Sequence, residues 1–165
     1  MVVEAVTFDY WDTIVRAEPP PFKQSRLEAL VSVFVARGVV LDIGDVEAQM
    51  SAVFAEEFTP AWQRNEQFTA ADAARSLVRR LDPAGRLGVA AADTVIEAFV
   101  SAPHAVSTEL APGVADAIAT LTDAGVRVGI ICDVGLTPST ALRGVLEAHD
   151  LLPRFGHWSF SDEVG

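Results

Sequence analysis

Hydrophobic and polar positions follow two different periods along this chain. Val2 to Phe8 (VVEAVTF) is a short, β-branched apolar run that stops at Asp9, the pattern of a strand buried on both faces of a parallel sheet. Val126 to Cys132 (VRVGIIC) is a second such run and stops at Asp133; His157 to Ser161 (HWSFS) is a third, weaker one. The first two runs therefore each leave a carboxylate at the carboxyl end of a strand.

Between the first two runs the period changes to that of a helix. Leu27, Leu30, Val31, Phe34 and Val35 share one face of a helix that Gly38 closes. Val46, Met50, Val53 and Phe54 mark a second helix, opened by Asp42 or Asp45. Thr69 with Asp72 three residues on has the form of a capping box, and the stripe behind it is Ala73, Ala74, Leu77, Val78 and Leu81. Ala92, Val95, Ile96 and Phe99 make a fourth helix. Glu18 to Pro21 and Ser101 to Pro112 read as the linkers at either end of this bundle. Beyond it, Pro112 is expected to open a helix carrying Val114, Ile118 and Leu121, which Gly125 ends, and Thr137-Pro138 to cap another carrying Leu142, Val145 and Leu146. Three strands separated by helical patterns predict an α/β sheet with a helical insertion after the first strand.

Composition narrows the function classes. The 23 acidic residues against 12 basic ones give a net charge of -11, which argues against a nucleic-acid surface, because phosphate contacts need clustered positive charge. Lys23 is the only lysine, and Cys132 the only cysteine, so neither an internal disulfide nor a cysteine-rich zinc site can form. No leader pattern precedes the first strand, and no run reaches the about 18 apolar residues of a membrane span. The expectation is a cytoplasmic protein acting on a small molecule, with no nucleic-acid or membrane partner. Open α/β sheets bind ligands at the carboxyl ends of their strands, so Asp9, Cys132 and Asp133 are the candidate site, with Thr13 just beyond.

These residues also carry a resemblance. Val6-Thr7-Phe8-Asp9-Tyr10-Trp11-Asp12-Thr13-Ile14 resembles the first motif of the haloacid dehalogenase (HAD) superfamily, an apolar strand followed by D-x-D-x-T. Leu110 to Val114 and then Gly129 to Asp133 resemble the second motif, and Phe155 to Gly165 the third strand. The resemblance implies a Rossmann-like parallel core at 1–16 and 106–165, of which three strands are present, and a helical cap at 17–105. It implies that Asp9 is a covalent nucleophile and that Thr13, with the tip of the second strand, holds substrate oxygens. For a phosphatase it further implies Mg2+ on the Asp9 carboxylate, the Trp11 backbone carbonyl and an acidic residue from a later strand.

Several positions depart from the family pattern. Trp11 stands where phosphatases carry the aspartate that protonates the leaving alkoxide, and an indole cannot shuttle protons. A halide leaves without a proton, and the dehalogenases of the family also carry an aromatic residue here. Asp12, one position on, reads as a partial substitute for that acid or a substrate contact, against which a one-residue shift on an extended backbone turns its side chain the other way. Cys132 takes the place of Ser or Thr and reads either as a substrate contact or as a small buried strand end. Asp133 reads either as a site residue or as a loop cap. Arg143 and Arg154 read either as charges near the site or, on spacing alone, as helix-surface charges, and Trp62, Phe22 and Phe68 either as cleft-facing residues that set the substrate or as core. The family's lysine and later acidic pair have no counterpart before Gly165.

Two functional readings follow. One is a HAD-like hydrolase of a small phosphorylated or halogenated substrate, impaired in this chain by the absent groups. The other is a catalytically silent HAD-like binding domain. The missing strands would leave Val2 to Phe8 as an open apolar edge, so the expectation is a homodimer joined or exchanged through that strand, or an aggregation-prone monomer.

Overall fold

The computed structural model describes residues 3–16, 19–105 and 108–164. In chain order these form β1 (Ala5–Phe8), β2 (Val15–Arg16), α1 (Pro19–Ala36), α2 (Ile43–Val53), a π-helical turn (Phe54–Phe58), α3 (Thr59–Gln63), α4 (Ala70–Leu81) and α5 (Val89–Ser101). A 3-10 turn (Ala102–Ala105), β3 (Glu109–Leu110), α6 (Val114–Asp123), β4 (Arg127–Cys132), α7 (Ser139–Ala148), a second 3-10 turn (Leu152–Arg154), β5 (His157–Phe160) and α8 (Ser161–Val164) follow. They pack as two compact units: Met1–Pro19, Ser107–Val134 and Ser139–Gly165 form one, Pro20–Val106 and Gly135–Pro138 the other. No described helix is long and apolar enough to cross a membrane.

The first unit is an α/β layer, as the hydrophobic runs predict. Its parallel sheet has the order β1-β4-β5, with Phe8 beside Ile130 and Cys132 beside Phe160. The strands are added in one direction, and right-handed crossovers then place every connecting helix on the same face. Val128, Ile130, Cys132 and Phe160 accordingly form one core with Val114 and Ile118 of α6 and Leu142 and Leu146 of α7. The other face is uncovered among the described residues: Ala5, Thr7, Arg127 and His157 are exposed, and Ile131 is 54 % exposed. This corrects the expectation of strands buried on both faces. The runs are rich in β-branched residues, but only alternate positions meet helices.

Other boundaries also move. The strand expected from Val2 is described only over Ala5–Phe8. A two-stranded antiparallel pair, β2 with β3, was not foreseen, because two residues are too few to show a period. The proline-rich stretch read as a linker begins α1 at Pro19, where the missing N–H would have had no helical partner in any case. Pro112 does not open α6; Gly113 does, from the left-handed region at φ 77°, a conformation that costs glycine little. Thr137-Pro138 does not cap α7, which starts at Ser139 with its N–H on the Asp162 carboxylate at 2.9 Å. Ser161 begins α8 rather than ending the strand.

The second unit is a helical bundle whose core unites Leu27, Leu30 and Phe34 with Val46, Met50, Leu77, Val95 and Phe99. Asp42, rather than Asp45, caps α2 by accepting from the Asp45 N–H at 3.1 Å. The Thr69 and Asp72 capping box forms with both reciprocal bonds, a device worth about 1 kcal/mol. Val35 and Phe54, at the margins of their predicted stripes, are exposed. Leu136 packs into this core as part of Gly135–Pro138, which groups with the helical unit.

Candidate active site

The carboxyl ends of β1, β4 and β5 lie side by side because the strands are parallel and adjacent. Asp9 follows β1 directly, and the alternation of the strand carries past it: Asp9 is exposed and Tyr10 wholly buried. The Tyr10 hydroxyl donates to the Leu142 carbonyl of α7 at 3.1 Å. Burial, reinforced by the Cys132 thiol, raises its pKa well above the usual phenol value. A neutral anchor thus fixes the chain immediately behind the exposed carboxylate.

From Tyr10 the chain coils into a single turn. The Ile14 and Val15 N–H groups donate to the Tyr10 carbonyl at 2.9 and 3.1 Å, and the Asp12 N–H to the Val15 carbonyl at 2.8 Å. Asp12 adopts φ 55° and is exposed, as is Thr13. The backbone at Asp12 is therefore not extended, so strand alternation does not turn its side chain away from Asp9. The Trp11 ring meets Tyr10 edge-on at 5.0 Å.

At the tip of β4, Cys132 is 3 % exposed and its thiol donates to the Asp133 carbonyl at 3.2 Å. Burial first, and then the negative charges of Asp9, Asp133 and Asp162, push the thiol up to about 12. Asp9, Asp133 and Asp162, one from each strand end, thus lie near enough to act on the thiol. The thiol stays protonated at neutral pH, so it offers no ready nucleophile.

The residues after β5 make contacts that sequence reasoning missed. Ser161 Oγ accepts from the Val134 N–H at 3.1 Å and donates to Asp133 Oδ1 at 3.3 Å. Asp162 caps α7 through Ser139, and the Ser139 hydroxyl donates to Glu163 Oε1 at 2.8 Å. Arg143 donates to both Glu163 oxygens, and its guanidinium lies 5.1 Å over the Trp158 ring and 4.9 Å over Phe160. Arg143 is thus a structured part of this end of the sheet rather than a free surface charge. Arg154 does lie at the surface, on Asp123 at 3.2 Å, and Lys23 pairs with Glu47 at 3.5 Å in the helical unit. The available signal was the polar triplet Ser161-Asp162-Glu163 at a strand end, the same signal that singled out Asp9 and Asp133.

Among the described residues, no group of three or more His, Cys, Asp or Glu side chains is arranged to hold a metal ion. Asp133 and Asp162 have hydrogen-bonding tasks of their own, and the site as described does not fit a complete Mg2+ donor set.

No protein-family model and no curated protein sequence matches the chain. Solved structures do. A predicted phosphoglycolate phosphatase from Haemophilus somnus superposes over 98% of this chain at 11% identity, with a TM-score of 0.54. The magnesium-bound YfnB of Bacillus subtilis, a proposed HAD-hydrolase, superposes over 99% at 18% identity, with a TM-score of 0.54. A haloacid dehalogenase-like family hydrolase from Xanthomonas campestris covers 96% at 16% identity, with a TM-score of 0.51. The fold is that of the haloacid dehalogenase-like hydrolases. The chain spans 64%, 65% and 62% of these three proteins, respectively. At such identities the likeness establishes the HAD-like fold and leaves the chemistry to the residues of the site.

Proposed function

We propose that this HAD-like chain carries the nucleophile of a hydrolase, with Asp9 attacking the phosphorus of a small phosphomonoester or the halogen-bearing carbon of a small haloacid. The observation that carries this reading is an exposed carboxylate at the carboxyl end of β1, backed by the wholly buried Tyr10 and set beside the tip of β4. On a haloacid, the carbon–halogen bond breaks as the ester to Asp9 forms, and the halide takes the electron pair. On a phosphomonoester, the phosphorus–oxygen bond breaks and the departing alkoxide needs a proton. Water then cleaves the ester or acyl-phosphate and restores Asp9.

Trp11 cannot supply that proton. The reading therefore favours leaving groups that depart as stable anions, a halide or a phenolate, since general acid assistance is ordinarily worth about 10²- to 10⁴-fold. Thr13 and the Asp133 end of β4 hold substrate oxygens, while the buried thiol of Cys132 serves packing. Mg2+ would bind to Asp9 and the Trp11 carbonyl in a phosphatase-type reaction, but the described residues do not complete that site and no step here depends on it.

The test is turnover of p-nitrophenyl phosphate and of 2-bromopropionate, with and without Mg2+, by the wild-type chain and Asp9→Asn. With 2-bromopropionate, a single turnover in 18O-labelled water should place the label in the Asp9 carboxylate, read by peptide mass spectrometry, because water attacks the carbonyl of the ester. Turnover that survives Asp9→Asn would remove the nucleophile assignment. Absence of turnover with either substrate would favour the silent binding domain, a reading that Trp11 and the buried thiol also support.

A further inference from the structure

Along the uncovered face of the sheet, the strand register sets Gly129 of β4 between Thr7 of β1 and His157 of β5. Arg127 stands two residues back along β4, so strand alternation puts all four residues on this one face. Gly129 is buried between its neighbours, and a Cβ there would lie 3.1 Å from the His157 Cβ and 3.3 Å from its carbonyl oxygen. A side chain at this position would push the strands apart. Glycine keeps them close and adds only backbone to a groove of about 600 Å³ lined also by Thr7, Arg127, Arg154, Phe155 and His157.

The charge of this groove runs against that of the chain. Acidic residues outnumber basic ones by 23 to 12 overall, yet the lining holds two arginines and a histidine and no carboxylate. The carboxylates that answer the arginines stand outside it. Arg127 faces Glu4 at 3.8 Å, too far for a hydrogen bond, and the two side chains are 77 % and 79 % exposed. An exposed pair of this kind is weak and exchanges readily, and it leaves the planar N–H fork of Arg127 open to solvent. Arg154 is more firmly engaged, by Asp123 at 3.2 Å and Thr122 Oγ1 at 3.1 Å, and brings charge rather than free donors. A carboxylate or phosphate that meets a guanidinium through two parallel N–H groups is held better than a single exposed contact at 3.8 Å.

We propose that this groove binds the oxyanion of a small organic acid or phosphate ester. The Arg127 guanidinium grips two of its oxygens, Thr7 and His157 supply hydrogen bonds from the neighbouring strands, and Arg154 adds positive charge. The groove is separate from the candidate active site: Gly129 lies three residues, roughly 10 Å of extended chain, before the tip of β4 at Cys132. The inference therefore stands whether or not Asp9 is a nucleophile.

The test is a 1H–15N NMR titration of the full chain with citrate and, separately, with inorganic phosphate, each against sodium chloride at matched ionic strength. Saturable shifts are expected at the amides of Thr7, Arg127, Gly129 and His157 with at least one probe, and the probe that saturates identifies the preferred oxyanion. Arg127→Gln should weaken that binding by about tenfold or more. Glu4→Gln, which removes the competing carboxylate, should tighten it by about twofold or more. Both substituted side chains are exposed, so neither change bears on the core. Shifts no larger than those of sodium chloride, shifts confined to Asp9, Asp133 and Asp162 at the other end of the strands, unchanged affinity in Arg127→Gln, or affinity no tighter in Glu4→Gln would each overturn the proposal.

Discussion

Replacing Tyr10 by phenylalanine isolates the contact that fixes the chain behind Asp9. The ring is wholly buried and its hydroxyl donates to the Leu142 carbonyl at 3.1 Å, so the variant keeps the packed volume and loses one hydrogen bond. Leu142 lies inside α7, where its carbonyl also accepts the helix bond from four residues on, so no acceptor is stranded. The loss is that of one neutral hydrogen bond, about 1 kcal/mol. Truncation to alanine would instead leave a cavity and cost ~3–5 kcal/mol. For a chain of this length, 1 kcal/mol corresponds to a fall of about 2–4 °C in Tm. Equilibrium urea unfolding is the assay, followed by tryptophan emission, with Trp11 edge-on to Tyr10 at 5.0 Å as a local probe. The midpoint should fall with an unchanged slope. An unchanged midpoint would show that the hydroxyl contributes nothing. A loss above about 3 kcal/mol would refute the argument that the Leu142 carbonyl keeps its helical partner.

Three further outcomes follow from the same geometry. Arg143, with the Ser139 hydroxyl, holds the Glu163 carboxyl at about 2, below its usual 4.5. Its folded-state value lies below the unfolded one, so this stabilisation is present above pH 4.5 and fades as the pH falls towards 2. Glu163→Gln should flatten that part of the stability curve, and identical acid slopes for the two proteins would contradict the pairing. The Cys132 thiol, pushed up to about 12 and buried, should react with an aromatic disulfide at pH 8 far more slowly in the native chain than in urea; equal rates would overturn its placement. Finally, β1 has β4 as its ladder partner on one side and an open edge on the other among the described residues. We expect a second copy to pair there, giving a concentration-dependent dimer by light scattering, and a monomer at every concentration would refute it.

Much of the fold is legible in the sequence because the elements advertise themselves locally. The strand runs that stop at Asp9 and Asp133, the Thr69 and Asp72 capping box and the stripes of the bundle all depend on neighbours within one or two turns of chain. The features that were missed depend on residues far apart. Ser139 is 23 positions from the Asp162 that caps its helix, and Arg26 is 110 from the Leu136 carbonyl it holds. A cap supplied from a distant strand leaves no periodic trace, so Thr137-Pro138 looked like the start of α7. The β2 and β3 pair was invisible for a similar reason, since its two residues on each side are defined only by each other.

The sequence by itself determined the class of the sheet, the order of its strands along the chain and the carboxylate that ends the first of them. Burial of apolar runs and the reach of local caps are sufficient for that. Only the tertiary structure decided which face of the sheet is covered, because that depends on the direction in which strands are added and on the handedness of the crossovers. It also decided what the site residues do. Asp9 and Cys132 both fall at strand ends in the sequence, but the packing of Tyr10 leaves one as an exposed carboxylate, while burial among negative charges makes the other an inert thiol.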